Sequence, residues 1–271
     1  MNAASGHGSG SGGRNVLAAR PGGIAEVLGR RLAAHRLKPA AVALWAIAFV
    51  ILGAVIIGLG LLLTRVLLHG GLGSFDVSVS RWFVRGRTPA LDTVTRVGTE
   101  LGSTGAIIGV AALALIVLAI GKHWRQIGFL ACAMTLEFGI FVITTLLVGR
   151  HRPTVLQLDA APPTSSYPSG HMASALALYV GLAIVVWSLV RGPLVRRFVW
   201  AIAVALSSFV GVSRLYRGMH FLTDVIAAVL LGCLALVFAL LITRTMREAA
   251  AERDRHASSP QPLHPPPEAP L

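Results

Sequence analysis

The sequence predicts an all-α integral membrane protein, a bundle of six transmembrane helices. Three observations carry that expectation. Of 271 residues 55% are hydrophobic and 13% are charged, with a mean hydropathy of +0.73, whereas a soluble domain is about a quarter charged. The apolar residues are gathered into long runs, most of them near the ~20 residues that cross the ~30 Å hydrocarbon core. Those runs show no two-residue alternation, which points to helices rather than barrel strands.

Taken in order, residues 1–39 open with the flexible stretch "SGHGSGSGGRN" and then carry Arg14, Arg20, Arg30, Arg31, Arg36 and Lys38. They are expected to form a disordered basic tail. The first apolar run follows this Arg-rich segment and is too long for a signal-peptide core, so no cleavable signal is expected. The spans are predicted at 40–63, 103–120, 127–148, 172–190, 198–213 and 221–243, within a membrane domain of residues 40–247. Residues 70–100 read as a long polar connection with an amphipathic helix lying at the interface. Residues 248–271 end in "SSPQPLHPPPEAPL", too Pro-rich to pack, and are expected to be a second disordered tail. Cys132 and Cys233 each lie inside an apolar run and read as small core hydrophobes rather than a disulfide.

The 24 Lys and Arg outnumber the 11 Asp and Glu. The charges fall between apolar runs and not on the face of a soluble domain, so nucleic acid is rejected as a partner. Fifteen of the 24 lie in the N-terminal tail, in the 121–126 and 191–197 loops and in residues 244–271 after the last span. The positive-inside bias then places both termini in the cytoplasm of a plasma-membrane protein. The connections at 64–102, 149–171 and 213–220 would face outward.

Three polar clusters fall on that outward side. They are "VGRHRP", Val148 to Pro153, "PSGH", Pro168 to His171, and "SRLYRGMHFLTD", Ser213 to Asp224. Arg152 and Arg214 are permanent cations whose forked donors suit phosphate. Ser169 adds a hydroxyl, and the N–H groups of Gly170 and His171 open a helix, where the dipole favours an anion. His220 and Asp224 are four apart and share a helix face, with Asp224 leaning back toward the ring. A carboxylate on one ring nitrogen holds the tautomer and frees the other nitrogen to attack. His171 supplies a second proton-transfer group. No metal and no cofactor is needed. Each cluster also has a plain reading: "PSGH" as a turn and helix start, the arginines as headgroup contacts, "RHRP" as a helix stop. Their occurrence together, in order and on one membrane face, is harder to reach by chance and reads as a phosphate cradle with membrane lipids around it.

These residues resemble the type 2 phosphatidic acid phosphatase superfamily, whose motifs are K-x6-R-P, P-S-G-H and S-R-x5-H-x3-D. The second and third are complete. In the first, Arg152 and Pro153 match, but Thr145 stands where the family has lysine. The resemblance runs from about the second span to the sixth and implies a six-helix core. It implies His220 as nucleophile on phosphorus, Asp224 orienting it, and His171 protonating the leaving oxygen. Arg152, Ser169, Gly170 and Arg214 would hold the phosphoryl oxygens while a phosphohistidine forms and water cleaves it. The implied activity is a metal-independent lipid phosphate phosphatase. Phosphatidic acid, a polyprenyl diphosphate and phosphatidylglycerol phosphate are the substrates in view. A lipid phosphotransferase built on the same His-His-Asp core is the alternative, and a non-catalytic transporter or lipid-binding scaffold is a third.

Three more residues carry expectations. Arg150 either snorkels to headgroups or reaches into the cradle to replace the missing lysine. Arg217 touches headgroup or substrate. Glu137 lies mid-span, and is expected to join two helices by a hydrogen bond, with a functional role as the alternative.

Overall fold

The computed structural model describes residues 16–161 and 163–258. Among them the secondary structure is helical: α1 Ile24–Leu32, α2 Leu37–Arg65, α3 Gly71–Arg85, α4 Pro89–Leu101, α5 Thr104–Ile120, α6 Trp124–Val148, α7 Gly170–Leu189, α8 Pro193–Tyr216 and α9 Leu222–Ser258. Five of these helices are long and apolar enough to cross a membrane, and α4 with α5, bent by 48°, make a sixth span if the pair is one broken crossing. On its own α5 is about 26 Å long, short of the hydrocarbon thickness.

The bend has a local cause. Gly102 closes α4, and Ser103 opens α5 with its Oγ accepting Ala106 N–H at 3.3 Å. A Cβ at position 102 would lie 2.6 Å from Val210 and 3.1 Å from the His171 Cβ. The bend therefore packs directly against α8 and the start of α7. The expected connection at 70–100 is two helices rather than one. α4 begins at Pro89 with Thr88 as its cap, the Oγ accepting Leu91 N–H at 3.3 Å.

α7 is the centre of the bundle and packs against α6, α8 and α9. Its inward faces are rich in alanine: Ala173, Ala175, Ala177 and Ala183 are all buried. Small residues let helices approach closely where lipid offers no hydrophobic drive between them. Gly232 of α9 shows how closely, since a Cβ there would lie 2.8 Å from Leu176. α6 stops at Gly149, whose φ of 62° takes the chain into the left-handed region. That turn starts the connection to α7. The connection is pinned to α2 by Tyr167, which is fully buried, donates its hydroxyl to the Ile56 carbonyl at 3.1 Å and covers Gly60.

The two expected tails need correction within the described residues. Residues Ile24–Leu32 form α1, and α2 already begins at Leu37. α1 lies on the extension of α9, Gly29 faces Glu248 with room for no side chain, Leu17 is buried, and Arg244 Nε donates to the Val16 carbonyl at 2.8 Å. α9 runs on to Ser258, its last turns tied by Arg255 to Glu248 at 2.6 Å and to Glu252 at 2.8 Å. A nine-residue helix is too short to be stable alone, and packing of its small-residue face supplies what propensity does not. The remaining parts of both expected tails, 1–15 and 259–271, lie outside the described residues.

Candidate active site

The ends of α6, α7 and α8 and the start of α9 meet around a cavity of about 500 Å³. Its polar end is formed by Arg152, Gly170, His171, Arg214 and His220, and its remainder largely by apolar side chains including Ile107, Ile108, Met134, Phe138 and Phe141. The three separated motifs therefore come together at one mouth.

His220 is 4% exposed. Its Nδ1 lies 2.7 Å from the Ser166 carbonyl oxygen and 3.8 Å from Asp224 Oδ2. A carbonyl can only accept, so Nδ1 carries the proton and Nε2 carries the lone pair. The direct partner of the ring is thus the backbone of Ser166, and the expected Asp224 contact is longer than a hydrogen bond. Asp224 stands one step behind. It accepts the Ser166 hydroxyl and, at 2.9 Å, the Phe221 N–H, and so holds the segment that holds the ring. Burial pushes the His220 pKa below its ordinary value, with the Asp224 carboxylate pulling the other way. The neutral ring is the favoured form.

Arg152 faces the free nitrogen. Its NH1 is 3.4 Å from His220 Nε2 and donates to the Met219 carbonyl at 2.8 Å. Arg214 is held by Asp159 at 3.0 Å, and Asp159 is also gripped by Arg217 through Nε and NH2, at 2.8 and 2.6 Å. Burial alone would raise the Asp159 pKa, but the Arg217 hydrogen bonds and the charges of Arg217 and Arg214 bring it below the usual carboxylate range. Arg217 also donates to Asp92 and Leu158 carbonyls at 3.0 Å each. It fastens the 150–169 connection to α4 and does not reach the cavity.

Ser169 is the N-cap of α7 and fully buried, and among the described residues its Oγ and the buried Nε atoms of Arg152 and Arg214 have no hydrogen-bond partner. Buried donors without partners are costly. Beside them the first-turn N–H groups of α7 are free by helix geometry. Gly170 belongs here because a Cβ would lie 2.7 Å from the Phe141 ring. The array is a set of donors with capacity for an anion. Among the described residues no group of three or more His, Cys, Asp and Glu is placed to hold a metal ion.

Arg150 and Thr145 stand apart from this array. Arg150 turns away from the cavity into a buried cluster. Its NH1 donates to Asp224 Oδ1 and, at 2.7 Å, to Thr223 Oγ1; its NH2 meets Asp76 Oδ2 at 2.7 Å, and its guanidinium lies over the Phe221 ring at 4.4 Å. It neither snorkels nor joins the cradle. The Thr145 hydroxyl returns to its own helix, donating to the Val142 carbonyl at 2.8 Å, and the residue borders a separate recess beside Arg150 and His151. Glu137 is fully buried in the wall of the cavity and accepts the Ser174 hydroxyl at 3.1 Å on either oxygen, a helix-to-helix bond as expected.

Sequence reasoning missed Ser166, Asp159 and Asp76. Ser166 acts here through its carbonyl, which no side-chain pattern reveals. Asp159 and Asp76 did offer a signal, as lone acids in stretches otherwise without negative charge. Asp76 accepts Thr223 N–H at 3.1 Å and Thr223 Oγ1 at 2.5 Å, and so caps the start of α9 from α3.

A family model described as the PAP2 superfamily matches residues 126–248. Phosphatidylglycerophosphatase B of Bacillus subtilis (strain 168) is 27% identical over 186 residues, covering 64% of this chain and 86% of that protein. The crystal structure of a transmembrane PAP2 type phosphatidylglycerolphosphate phosphatase from Bacillus subtilis superposes with a TM-score of 0.55 at 24% identity, covering 73% of this chain and 93% of that one. The last likeness concerns the fold.

Proposed function

We propose that the chain, whose residues 126–248 match the PAP2 superfamily model, is a membrane phosphatase of that kind and hydrolyses a lipid phosphate through a phosphohistidine on His220. The observation that carries this reading is the ring geometry. The His220 Nδ1–H donates to the Ser166 carbonyl at 2.7 Å, which leaves the lone pair on Nε2, 3.4 Å from Arg152 NH1, at the polar end of an otherwise largely apolar cavity.

Nε2 attacks phosphorus in line with the ester oxygen. Arg152, Arg214, the Ser169 hydroxyl and the N–H groups of Gly170 and His171 take the charge on the equatorial oxygens, the main requirement of phosphoryl transfer. His171, protonated when the negative charge of the bound phosphate stands against it, gives its proton to the departing oxygen, and the lipid alcohol leaves. The ring now carries positive charge, with its Nδ1–H still donated to the Ser166 carbonyl. Asp224 offsets that charge across 3.8 Å. Neutral His171 then takes a proton from water, whose oxygen attacks phosphorus; the P–N bond breaks and inorganic phosphate is released. No step calls for a metal.

The phosphate stays in the polar mouth while the acyl or prenyl tail lies along the apolar wall. The Bacillus relative is named for phosphatidylglycerophosphate, which supports a phosphomonoester of a glycerolipid. The positive-inside bias supports a site on the outer face with both termini in the cytoplasm. Phosphate release from a panel of lipid phosphates by the purified protein in detergent tests the reading. His220→Ala should abolish it and should abolish acid-labile labelling of the protein by a ³²P-labelled substrate. Full turnover by that variant, or a phosphodiester as product in place of free phosphate, would overturn the hydrolytic phosphohistidine mechanism.

A further inference from the structure

Beyond the phosphate cradle the cavity wall carries, among other polar side chains such as Thr104 and Thr135, the pair Ser174 and Glu137. Ser174 lies three residues beyond His171 on α7, about 4.5 Å farther along the axis. It lines the cavity and is partly accessible, while Glu137 behind it has no exposed surface. The Ser174 hydroxyl is 3.1 Å from each Glu137 oxygen, and it is the carboxyl group's one hydrogen-bond partner among the described residues. A serine has one proton and two lone pairs. With its proton turned to Glu137, Ser174 presents lone pairs toward the cavity. A hydrogen-bond acceptor in a largely apolar wall has a cost unless a donor arrives to meet it.

On the reading that the cavity cleaves lipid phosphates, the donor belongs to the leaving alcohol. The ester oxygen lies beside His171. A hydroxyl on the neighbouring carbon is about 3 Å from that oxygen across a staggered O–C–C–O torsion, which brings it to the next turn of α7. We propose that Ser174, oriented by Glu137, is a subsite for a free hydroxyl vicinal to the scissile phosphoester. The site would therefore favour phosphomonoesters of 1,2-diol type, as in a glycerol headgroup or a monoacylglycerol phosphate. Diacylglycerol phosphate and polyprenyl phosphates carry no such hydroxyl and leave the acceptor unmet. Ser174 is a specificity residue in this scheme, and Glu137 a positioning residue that acts through it.

The test compares 1-acylglycerol 3-phosphate with its 2-deoxy analogue, the same chain with hydrogen in place of the hydroxyl. The wild-type protein in detergent should prefer the hydroxylated substrate in kcat/KM by about tenfold, the worth of one well-formed buried hydrogen bond. Ser174→Ala and Glu137→Leu should bring that ratio to about one. Glu137→Gln, whose amide oxygen still accepts the serine proton, should keep most of it. A wild-type ratio near one, or an unchanged ratio in Ser174→Ala, overturns the subsite. Should Ser174→Ala fail to fold, the wild-type ratio and the contrast between Glu137→Gln and Glu137→Leu decide alone. Phosphate release at equal rates from both substrates defeats this inference only, whereas release from neither defeats the phosphatase reading beneath it.

Discussion

Replacing Arg150 by alanine should destabilise the protein before it touches the chemistry. Arg150 is the cation between Asp76 and Asp224, both fully buried. Its removal leaves two carboxylates without a counter-charge in a low-dielectric site. Breaking a buried pair from one side costs about 3–5 kcal/mol. For a protein of this size that is a loss of roughly 6–20 °C in the unfolding midpoint. The hydrogen bonds from Thr223 to Asp76 and from Phe221 to Asp224 remain and place the effect toward the lower part of that range. Adding Asp76→Asn removes one of the two stranded charges and should recover a substantial part of the loss. The assay is thermal unfolding in detergent, run beside phosphate release. Arg150→Ala should lower both, and the Asp76→Asn double variant should raise the midpoint again. A variant with wild-type midpoint and a hundredfold lower rate would refute this reasoning. It would put Arg150 in the phosphate cradle, as a replacement for the lysine missing at Thr145.

Three further outcomes follow from the same geometry. Because burial depresses His220 against the pull of Asp224, the acid limb of kcat/KM should fall below the ordinary histidine value of about 6.5. Asp224→Asn removes the upward pull and should move that limb lower still; an upward move in the pH profile would contradict the assignment. Asp159→Asn loosens Arg214 and Arg217 together and should cut kcat/KM by about tenfold or more, the usual worth of a charge-assisted hydrogen bond. Unchanged kinetics with phosphate-ester substrates would show that Arg214 holds its place without it. A cysteine introduced at 154–161 should react with an impermeant thiol reagent on intact cells, and one at 191–197 should not; the reverse labelling would turn the site to the cytoplasm.

The spans were legible from hydropathy, because a membrane asks each segment for the same simple thing, a long apolar run with its backbone bonded internally. The predicted 127–148 and 172–190 lie within two or three residues of α6 and α7. Successive spans alternate direction, so the ends carrying Arg152, Ser169 and His220 had to share one face. That is why the constellation could be assembled without coordinates. Local pattern also hid some things. α1 is short and basic and looks like a tail, and only the fit of Gly29 against Glu248 makes it a helix worth forming. The 70–100 connection was read for its polarity, and its function as the source of Asp76 depends on where α3 meets α9. The deepest differences concern direction. Nothing in the chain says that the His220 ring meets a carbonyl from a residue 54 positions away, or that Arg150 faces inward to two carboxylates while Arg152, two residues on, faces the cavity. Sequence determined which groups stand at the membrane face, because transfer energy acts on segments. Tertiary structure decided what each group points at, because hydrogen bonds and buried charges are settled only where the connection between α6 and α7 is pinned against α2 and α9.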